Sequence, residues 1–251
     1  MKRWPLLFVW LLASVLAPRF ASGADHLTAL NPKIRVLVVT GGHPFEHGPF
    51  FKLFADNPDI TFKAVEHPHA QAMFRPQAAK QYDVLVLYDM YQEISDQGKA
   101  DFINLLKAGK GLVVLHHAIA SYQDWPEYQK IIGARYYLQP TVVDGVEKAR
   151  SAYREGMHFR IHIVDPRNPI TRGMHDFEMH DECYRLFDLA DGVHPLLTTD
   201  EPLSNKVIAW WKTYAAARVV YIQSGHDHFA YDNPNYQRLL RQAIRWVARR
   251  E

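Results

Sequence analysis

Three short runs, Ile34–Val39, Val84–Leu87 and Leu112–Leu115, consist almost wholly of β-branched residues and leucine. A strand with one wet face alternates apolar and polar residues. A run without polar breaks needs cover on both faces, the arrangement of a parallel sheet flanked by helices. The segment before Leu112 supplies such a helix: Ser95 is its N-cap, Phe102, Leu105 and Leu106 form its apolar stripe, and Gly109 with Gly111 ends it. With 48% apolar and 13% aromatic residues among 251, the chain can bury a substantial core, which excludes disorder or a coiled coil as its main architecture.

Further along, Asp124 and Glu127 read as a capping box, with Pro126 in the first turn and Gly133 as the stop. From about residue 135 to 200 the pattern changes. Phe159, Ile161 and Ile163 alternate with His158, Arg160 and His162, and another alternating stretch covers Phe177–Phe187, so an antiparallel β region is inserted there. Strands at Val207–Trp211 and Val219–Ile222 flank a turn through Ala215–Ala217. Asp232-Asn233-Pro234 opens a closing helix with Tyr236, Leu239, Leu240, Ala243 and Val247 inward and Arg238, Arg241, Arg245 and Arg249 on a solvated face. No repeat or linker divides the chain. The expectation is one α/β domain over residues 24–251, a flavodoxin-like parallel sheet with helices on both faces and an inserted antiparallel β region.

The first residues carry an export pattern. Lys2 and Arg3 precede an apolar run from Trp4 to Ala17, and the small residues Ala21-Ser22-Gly23-Ala24 stand before Asp25. The run is shorter than the roughly twenty residues of a membrane span, so residues 1–23 read as a signal peptide and the mature chain as periplasmic or extracellular, without stable membrane insertion. Cleavage removes Lys2, Arg3 and Arg19 and leaves 26 basic against 27 acidic residues. A nearly neutral chain offers no broad field for nucleic acid.

Ligands of an open parallel sheet bind beyond the carboxyl ends of its strands. After the first run come Gly41-Gly42-His43-Pro44-Phe45-Glu46-His47, after the second Tyr88-Asp89-Met90-Tyr91, after the third His116-His117-Ala118, and after the last strand Ser224-Gly225-His226-Asp227-His228. A lone histidine in such a loop is more often a packing residue than a working one. Four distant loops carrying His or Asp to one edge make a functional pocket the better expectation.

Imidazole serves as a metal ligand or as a proton carrier near neutral pH. A zinc site would draw three protein ligands from His43, His47, His116 and His226, with Glu182 or Asp89 as carboxylate, although no HExxH helix supports it. Acid–base chemistry needs only one His and one carboxylate near a substrate proton. In the inserted region a strand through His180-Asp181-Glu182-Cys183-Tyr184 puts His180, Glu182 and Tyr184 on one face and Asp181 and Cys183 on the other. Cys183, the single cysteine, reads as a small buried residue and excludes a disulfide framework. Gly41-Gly42 lacks both the GxGxxG spacing and the phosphate-loop lysine, so no nucleotide cofactor is expected. Ser121 lacks a GxSxG context. Trp125, Tyr91, Trp210 and Trp211 either offer flat faces to sugar rings or fill the core.

Several segments together resemble the ThuA-like family, named for trehalose utilisation: Val39-Thr40-Gly41-Gly42-His43 through His47, Gly109 to His117, Trp125-Pro126-Glu127-Tyr128 through Gly133, Asp181-Glu182-Cys183-Tyr184, and Gly225-His226-Asp227. The resemblance runs from about Ile34 to the C-terminus and implies a fold related to class I glutamine amidotransferases and a small-molecule carbohydrate as partner. Two departures stand out: alanines at Ala215-Ala216-Ala217 where the family turn has glycine, and Asn168 where it has histidine. In the related amidotransferases a nucleophilic cysteine follows the strand corresponding to Leu112–Leu115. His116 stands there instead, so thiol-based glutamine hydrolysis is excluded.

The expectation is therefore an exported enzyme acting on a sugar or keto-sugar derivative by isomerisation, elimination or hydrolysis. Its catalytic groups would be His43, His116, Glu182 and His226, and its substrate-binding groups Asp89, His117, Tyr184 and Trp125. Zinc or another divalent metal, if used, would sit on His43, His47, His116 and His226. The alternatives are a non-catalytic carbohydrate-binding or accessory protein and a metal-dependent hydrolase of another substrate class.

Overall fold

The nearly continuous apolar runs become neighbouring parallel strands. The computed structural model describes residues 32–251 and Met1, and the segment read as a signal peptide otherwise lies outside the described residues. In chain order the first half holds β1 (Ile34–Gly41), α1 (His47–Ala55), β2 (Ile60–Glu66), β3 (Val84–Asp89), α2 (Asp96–Lys107), β4 (Gly111–Leu115) and α3 (Pro126–Ile132). The inserted region follows as β5 (Ala134–Arg135), β6 (Thr141–Val143), β7 (Val146–Lys148), β8 (Ala152–Ile163), β9 (Phe177–Arg185), β10 (Asp188–Leu189) and β11 (His194–Thr199). The chain closes with β12 (Val207–Tyr214), β13 (Ala217–Ile222), α4 (His228–Tyr231) and α5 (Pro234–Val247). No helix among the described residues is long and apolar enough to cross a membrane.

Among the described residues a nine-stranded sheet runs in the order β2-β1-β3-β4-β13-β12-β11-β8-β9. Strands β2 to β13 pair in parallel, and β13 to β9 pair antiparallel. Alternation along each parallel strand splits the core into two layers. Val36 and Val38 pack with Phe50 and Phe54 of α1 and Leu239 and Ile244 of α5, whereas Leu37 and Val39 pack with Phe102 of α2 and Tyr128 of α3. Both faces are thus covered, as the apolar runs require.

Two features of this topology position the site. β13 enters between β4 and β12, with Ile222 opposite Leu115, so residues 223–228 emerge beside His116. β9 lies four strands beyond β4's neighbourhood, β13, β12, β11 and β8 intervening. In a flat sheet five interstrand steps span roughly 24 Å. Yet β9 side chains touch His116, so the antiparallel half curls back over the strand ends. Register breaks between Arg154 and Met157 of β8 and along Pro195–Thr198 of β11 provide bends of the kind bulges make.

Local chemistry differs from the sequence reading in three places. Strand β2 carries a half-exposed pattern and so shows no apolar run. The Asp124–Glu127 capping box does not form: α3 begins at Pro126 behind Trp125 with no side-chain cap, and Glu127 instead accepts from the Tyr214 hydroxyl at 2.6 Å. The arginine face of α5 is also partly engaged, since Arg241 donates to Asp59 at 2.8 and 3.0 Å and Arg245 at 3.4 Å. Other signals hold. The Ser95 side chain accepts from the Gly98 amide, the Asn233 side chain accepts from that of Asn235, and Gly133 ends α3 with φ +83°.

Candidate functional site

His116 is the first residue past β4 and adopts φ +50°, a conformation that disfavours any residue with a Cβ and turns the side chain out of the strand register. Its carbonyl accepts from the Tyr221 hydroxyl at 3.2 Å, and its Nδ1–H donates to the Gln223 carbonyl at 2.7 Å. A carbonyl can only accept, so Nδ1 carries a proton and Nε2 faces the site. Around Nε2 stand the Tyr184 hydroxyl at 2.9 Å, Glu182 Oε2 at 3.0 Å and His226 Nδ1 at 3.3 Å. Glu182 Oε2 also lies 3.4 Å from His226 Nδ1. Two strand ends and the curled β9 therefore meet at one point.

The His226 loop is clamped by its backbone. The Asp181 carboxylate accepts the Gly225 amide at 2.8 Å and the His226 amide at 3.0 Å. The Tyr88 hydroxyl donates to the Gly225 carbonyl at 2.7 Å, and the Tyr231 hydroxyl to the His226 carbonyl at 2.9 Å. Glycine is required at 225: φ is +126°, and a Cβ would come within 2.6 Å of the Tyr236 hydroxyl. Alternation along β9 thus gives adjacent residues separate work, with Glu182 meeting the imidazoles while Asp181 holds the loop.

Electrostatics follow from burial and pairing. Burial alone would raise the Glu182 carboxyl, but hydrogen bonds from His116 and His226 outweigh it and hold the group well below the usual carboxylate range. His226 is pushed up to about 9, chiefly by its hydrogen bond to Glu182 and against its own burial. Its side chain is 26% exposed, against 1% for His116 and 7% for Glu182, so His226 is the cluster's contact with solvent. Burial, and then the proximity of His116 and His43, drive the His117 imidazole well below its ordinary value.

Of the residues expected from sequence, His116, Glu182, His226 and Tyr184 converge. His43 and His117 stand alongside, their rings stacked at 4.6 Å, and His117 meets His116 edge-on at 5.3 Å. The rest are elsewhere. Asp89 is fully buried and accepts from Tyr122 at 2.9 Å while facing His67 at 3.3 Å. His47 is exposed and stacks on Phe45 at 4.1 Å. Trp125 is 6% exposed and packs against Phe102 and Tyr128, which leaves no face for a sugar, and Trp210 is likewise in the core. Among the described residues the three ligand-type groups that converge, with atoms within 4.8 Å of one another, are His116, Glu182 and His226, and neither His43 nor His47 is part of that group.

Sequence reasoning passed over Asp181, Tyr88, Tyr231 and the Gln223 carbonyl. Asp181 was readable as the residue facing away from Glu182 on a strand, but nothing local shows which amides it would meet. A cavity of about 820 Å³ lies apart from the cluster, lined by Lys52, Leu53, Arg172, Arg238 and Arg245 among others; there Lys52 pairs with Asp56, Arg238 donates to the Arg172 carbonyl and Arg245 to Asp59.

The sequence profile of the ThuA family, described as trehalose utilisation, matches residues 35–247. No curated protein matches the chain. Among solved structures, a ThuA-like protein from Parabacteroides merdae superposes with a TM-score of 0.72 at 17% identity, covering 86% of this chain and 90% of that one. Another ThuA-like protein, from Bacteroides uniformis, gives 0.65 at 17% identity, with 86% and 91% covered. A cytoplasmic protein from Salmonella typhimurium gives 0.62 at 10% identity, with 85% and 99% covered. These likenesses show the same α/β fold, and the profile spans nearly all of the described residues: the chain belongs to the ThuA family.

Proposed function

We propose that the chain is an enzyme acting on a sugar or keto-sugar derivative, with His226 as the proton-transfer group and Glu182 and His116 as the groups that orient and charge it. The observation that carries this reading is the contact of a partly exposed imidazole with a buried carboxylate, His226 Nδ1 to Glu182 Oε2 at 3.4 Å, on a loop fixed by four backbone hydrogen bonds. With Nδ1 turned inward, Nε2 of His226 is the nitrogen left to meet substrate. Protons beside a keto group are acidic enough for an imidazole to move, and a preorganised His–carboxylate pair is the usual means. The sugar itself is supported by the family's description. Incubation of the purified mature chain with a panel of keto-glycosides should change the sugar's mass or NMR spectrum. Complete inertness across the panel overturns the reading. Sugar binding without turnover, unaffected by His116→Ala and His226→Ala, would instead identify an accessory carbohydrate-binding protein.

A second reading, metal-assisted chemistry, is favoured by one geometric observation. Ligand atoms about 2.0–2.1 Å from a tetrahedral ion lie about 3.3 Å apart, and the three separations here are 3.0, 3.3 and 3.4 Å. Two imidazoles and a carboxylate suit zinc or a similar divalent ion, and the Gln223 carbonyl on Nδ1 of His116 is the outer support such ligands normally have. His116, Glu182 and His226 would hold the ion, which would supply Lewis-acid polarisation of a carbonyl or ester. Elemental analysis of untagged protein separates the readings: stoichiometric metal lost in His226→Ala supports this one, and full activity in chelator eliminates it.

Export remains part of the proposal, supported by the apolar run at Trp4–Ala17. A periplasmic or secreted chain whose N-terminal sequence starts at Ala24 is the expected result. An uncleaved chain in the cytoplasm refutes it.

A further inference from the structure

The cavity of about 820 Å³ is walled by α1, the turn at residues 169–173 and α5, and none of His116, Glu182 and His226 lines it. Its basic side chains are unevenly matched. Lys52 pairs with Asp56, and Arg241 and Arg245 pair with Asp59. Glu251 turns to Arg218 at 2.6 Å, and Asp232 is close enough to Lys52 to act on its charge. Arg172 and Arg238 also line the cavity, both exposed, and neither has a carboxylate partner among the described residues.

Arg238 is nonetheless held in place. Its Nε–H donates to Gln242 Oε1 at 3.0 Å and its Nη2 to the Arg172 carbonyl at 2.9 Å. Gln242 in turn donates to the Ile170 carbonyl at 2.7 Å. Gly173, at φ +68°, lets the guanidinium lie against the turn, since a Cβ there would come within 2.7 Å of Nη2. Both acceptors are neutral, so they fix the guanidinium without cancelling its charge, and Nη1 has no partner among the described residues. A donor fork immobilised in advance has already met part of the entropic cost of binding.

We propose that this cavity binds a small phosphate monoester, with Nη1 of Arg238 and the guanidinium of Arg172 as the phosphate donors. Two guanidiniums without counter-charge call for an anion of nearly two charges. A phosphate monoester carries about −1.5 to −2 at pH 7, and planar N–H forks match its oxygens. A cavity within the range of small-molecule sites, about 300–1,000 Å³, leaves room for the esterified body of the ligand beside its phosphate. The site is separate from the His116 cluster and does not depend on what that cluster does.

Calorimetry at fixed ionic strength tests it, with glycerol 3-phosphate and inorganic phosphate as probes, acetate as a singly charged control and glycerol as an uncharged one. Wild-type protein should bind both phosphates saturably, with Kd about 1 mM or tighter, acetate at least about tenfold more weakly, and glycerol not at all. Arg172→Gln and Arg238→Gln should each weaken glycerol 3-phosphate about tenfold or more. Should Arg238→Gln lower Tm, Arg172→Gln decides, because the Arg172 side chain holds no other part of the fold among the described residues. Absence of phosphate binding in wild type, acetate bound as tightly as phosphate, or unchanged affinity in Arg172→Gln overturns the proposal. Binding to phosphatidic acid vesicles without binding to glycerol 3-phosphate overturns it as well, since the ligand would then be a membrane surface. Turnover of keto-glycosides by the His116 cluster is a separate measurement, and its failure leaves this site standing.

Discussion

His116 and His226, 110 residues apart in the chain, face each other nitrogen to nitrogen at 3.3 Å. Two imidazole lone pairs cannot share that distance without a proton or a cation between them, and His116 already spends its Nδ1–H on the Gln223 carbonyl. The Glu182 carboxylate beside both rings supplies the negative charge that either arrangement needs. Glu182 is therefore the electrostatic centre of the site, although His226 is its accessible edge.

Glu182→Gln tests this at nearly constant volume. An amide cannot stabilise an imidazolium as a carboxylate does, and one of its atoms would oppose an imidazole N–H. Turnover of a keto-glycoside should fall about 100-fold or more, the scale of a lost acid–base group, with the circular dichroism spectrum unchanged. Activity within a few-fold of wild type would remove Glu182 from the chemistry.

Asp181→Asn addresses the clamp. Asparagine keeps one acceptor but turns an NH₂ towards the second amide, leaving either the Gly225 or the His226 N–H buried and unpaired, a loss of about 1–3 kcal/mol. The His226 ring then loses its fixed position. Because misplacement of a catalytic group by about 1 Å costs up to about 100-fold, kcat should fall about 10- to 100-fold with KM nearly unchanged. A changed KM with normal kcat would assign Asp181 to substrate binding instead.

The fold was readable because its strongest constraint is local. Apart from the exposed Arg35 near the start of the first, Ile34–Val39, Val84–Leu87 and Leu112–Leu115 have no polar break, so the parallel sheet and its two helix layers follow from composition along the chain. Strand β2 escaped because an edge position lets Lys63 and Glu66 face water. The site was readable only in part. The rule that ligands gather past strand ends led to His116 and His226, but it treats all strand ends alike. Asp89 satisfies that rule, yet it is fully buried with its Oδ2 turned to Tyr122 and His67, and His47 is carried into solvent at the start of α1. Glu182 is near His116 only because the antiparallel half curls, and curvature arises from bulges and twist that no short window of sequence encodes.

The departure at Ala215–Ala217 has a measurable consequence. Ala215 has φ +50° in an exposed turn between β12 and β13, a conformation that costs an L-residue about 1–2 kcal/mol. Glycine relieves that strain while giving the unfolded chain extra freedom worth about 0.4–1 kcal/mol. Ala215→Gly should therefore stabilise the protein by up to about 1 kcal/mol, raising Tm by about 2–4 °C with activity unchanged. A lower Tm would show that the turn tolerates alanine without strain.

Asp59 gives a pH-dependent prediction remote from the site. It links the loop before β2 to α5, accepting from Arg241 at 2.8 and 3.0 Å, and the same loop receives the Ile34 amide at the start of β1. The Arg241 hydrogen bond lowers the Asp59 carboxyl below its ordinary value, more than burial raises it. A carboxyl with a depressed native pKa contributes stability that is complete above its unfolded value, about 4, and is lost as pH falls through the native value. Exposed ion pairs contribute about 0–1 kcal/mol, and the bidentate geometry with a second arginine nearby places this one towards the upper end. Asp59→Asn should therefore lower Tm by about 2–4 °C at pH 7, and the gap from wild type should narrow steadily as thermal melts are repeated below about pH 4. A gap that stays constant down to pH 2 would mean that Asp59 acts through packing rather than through its charge.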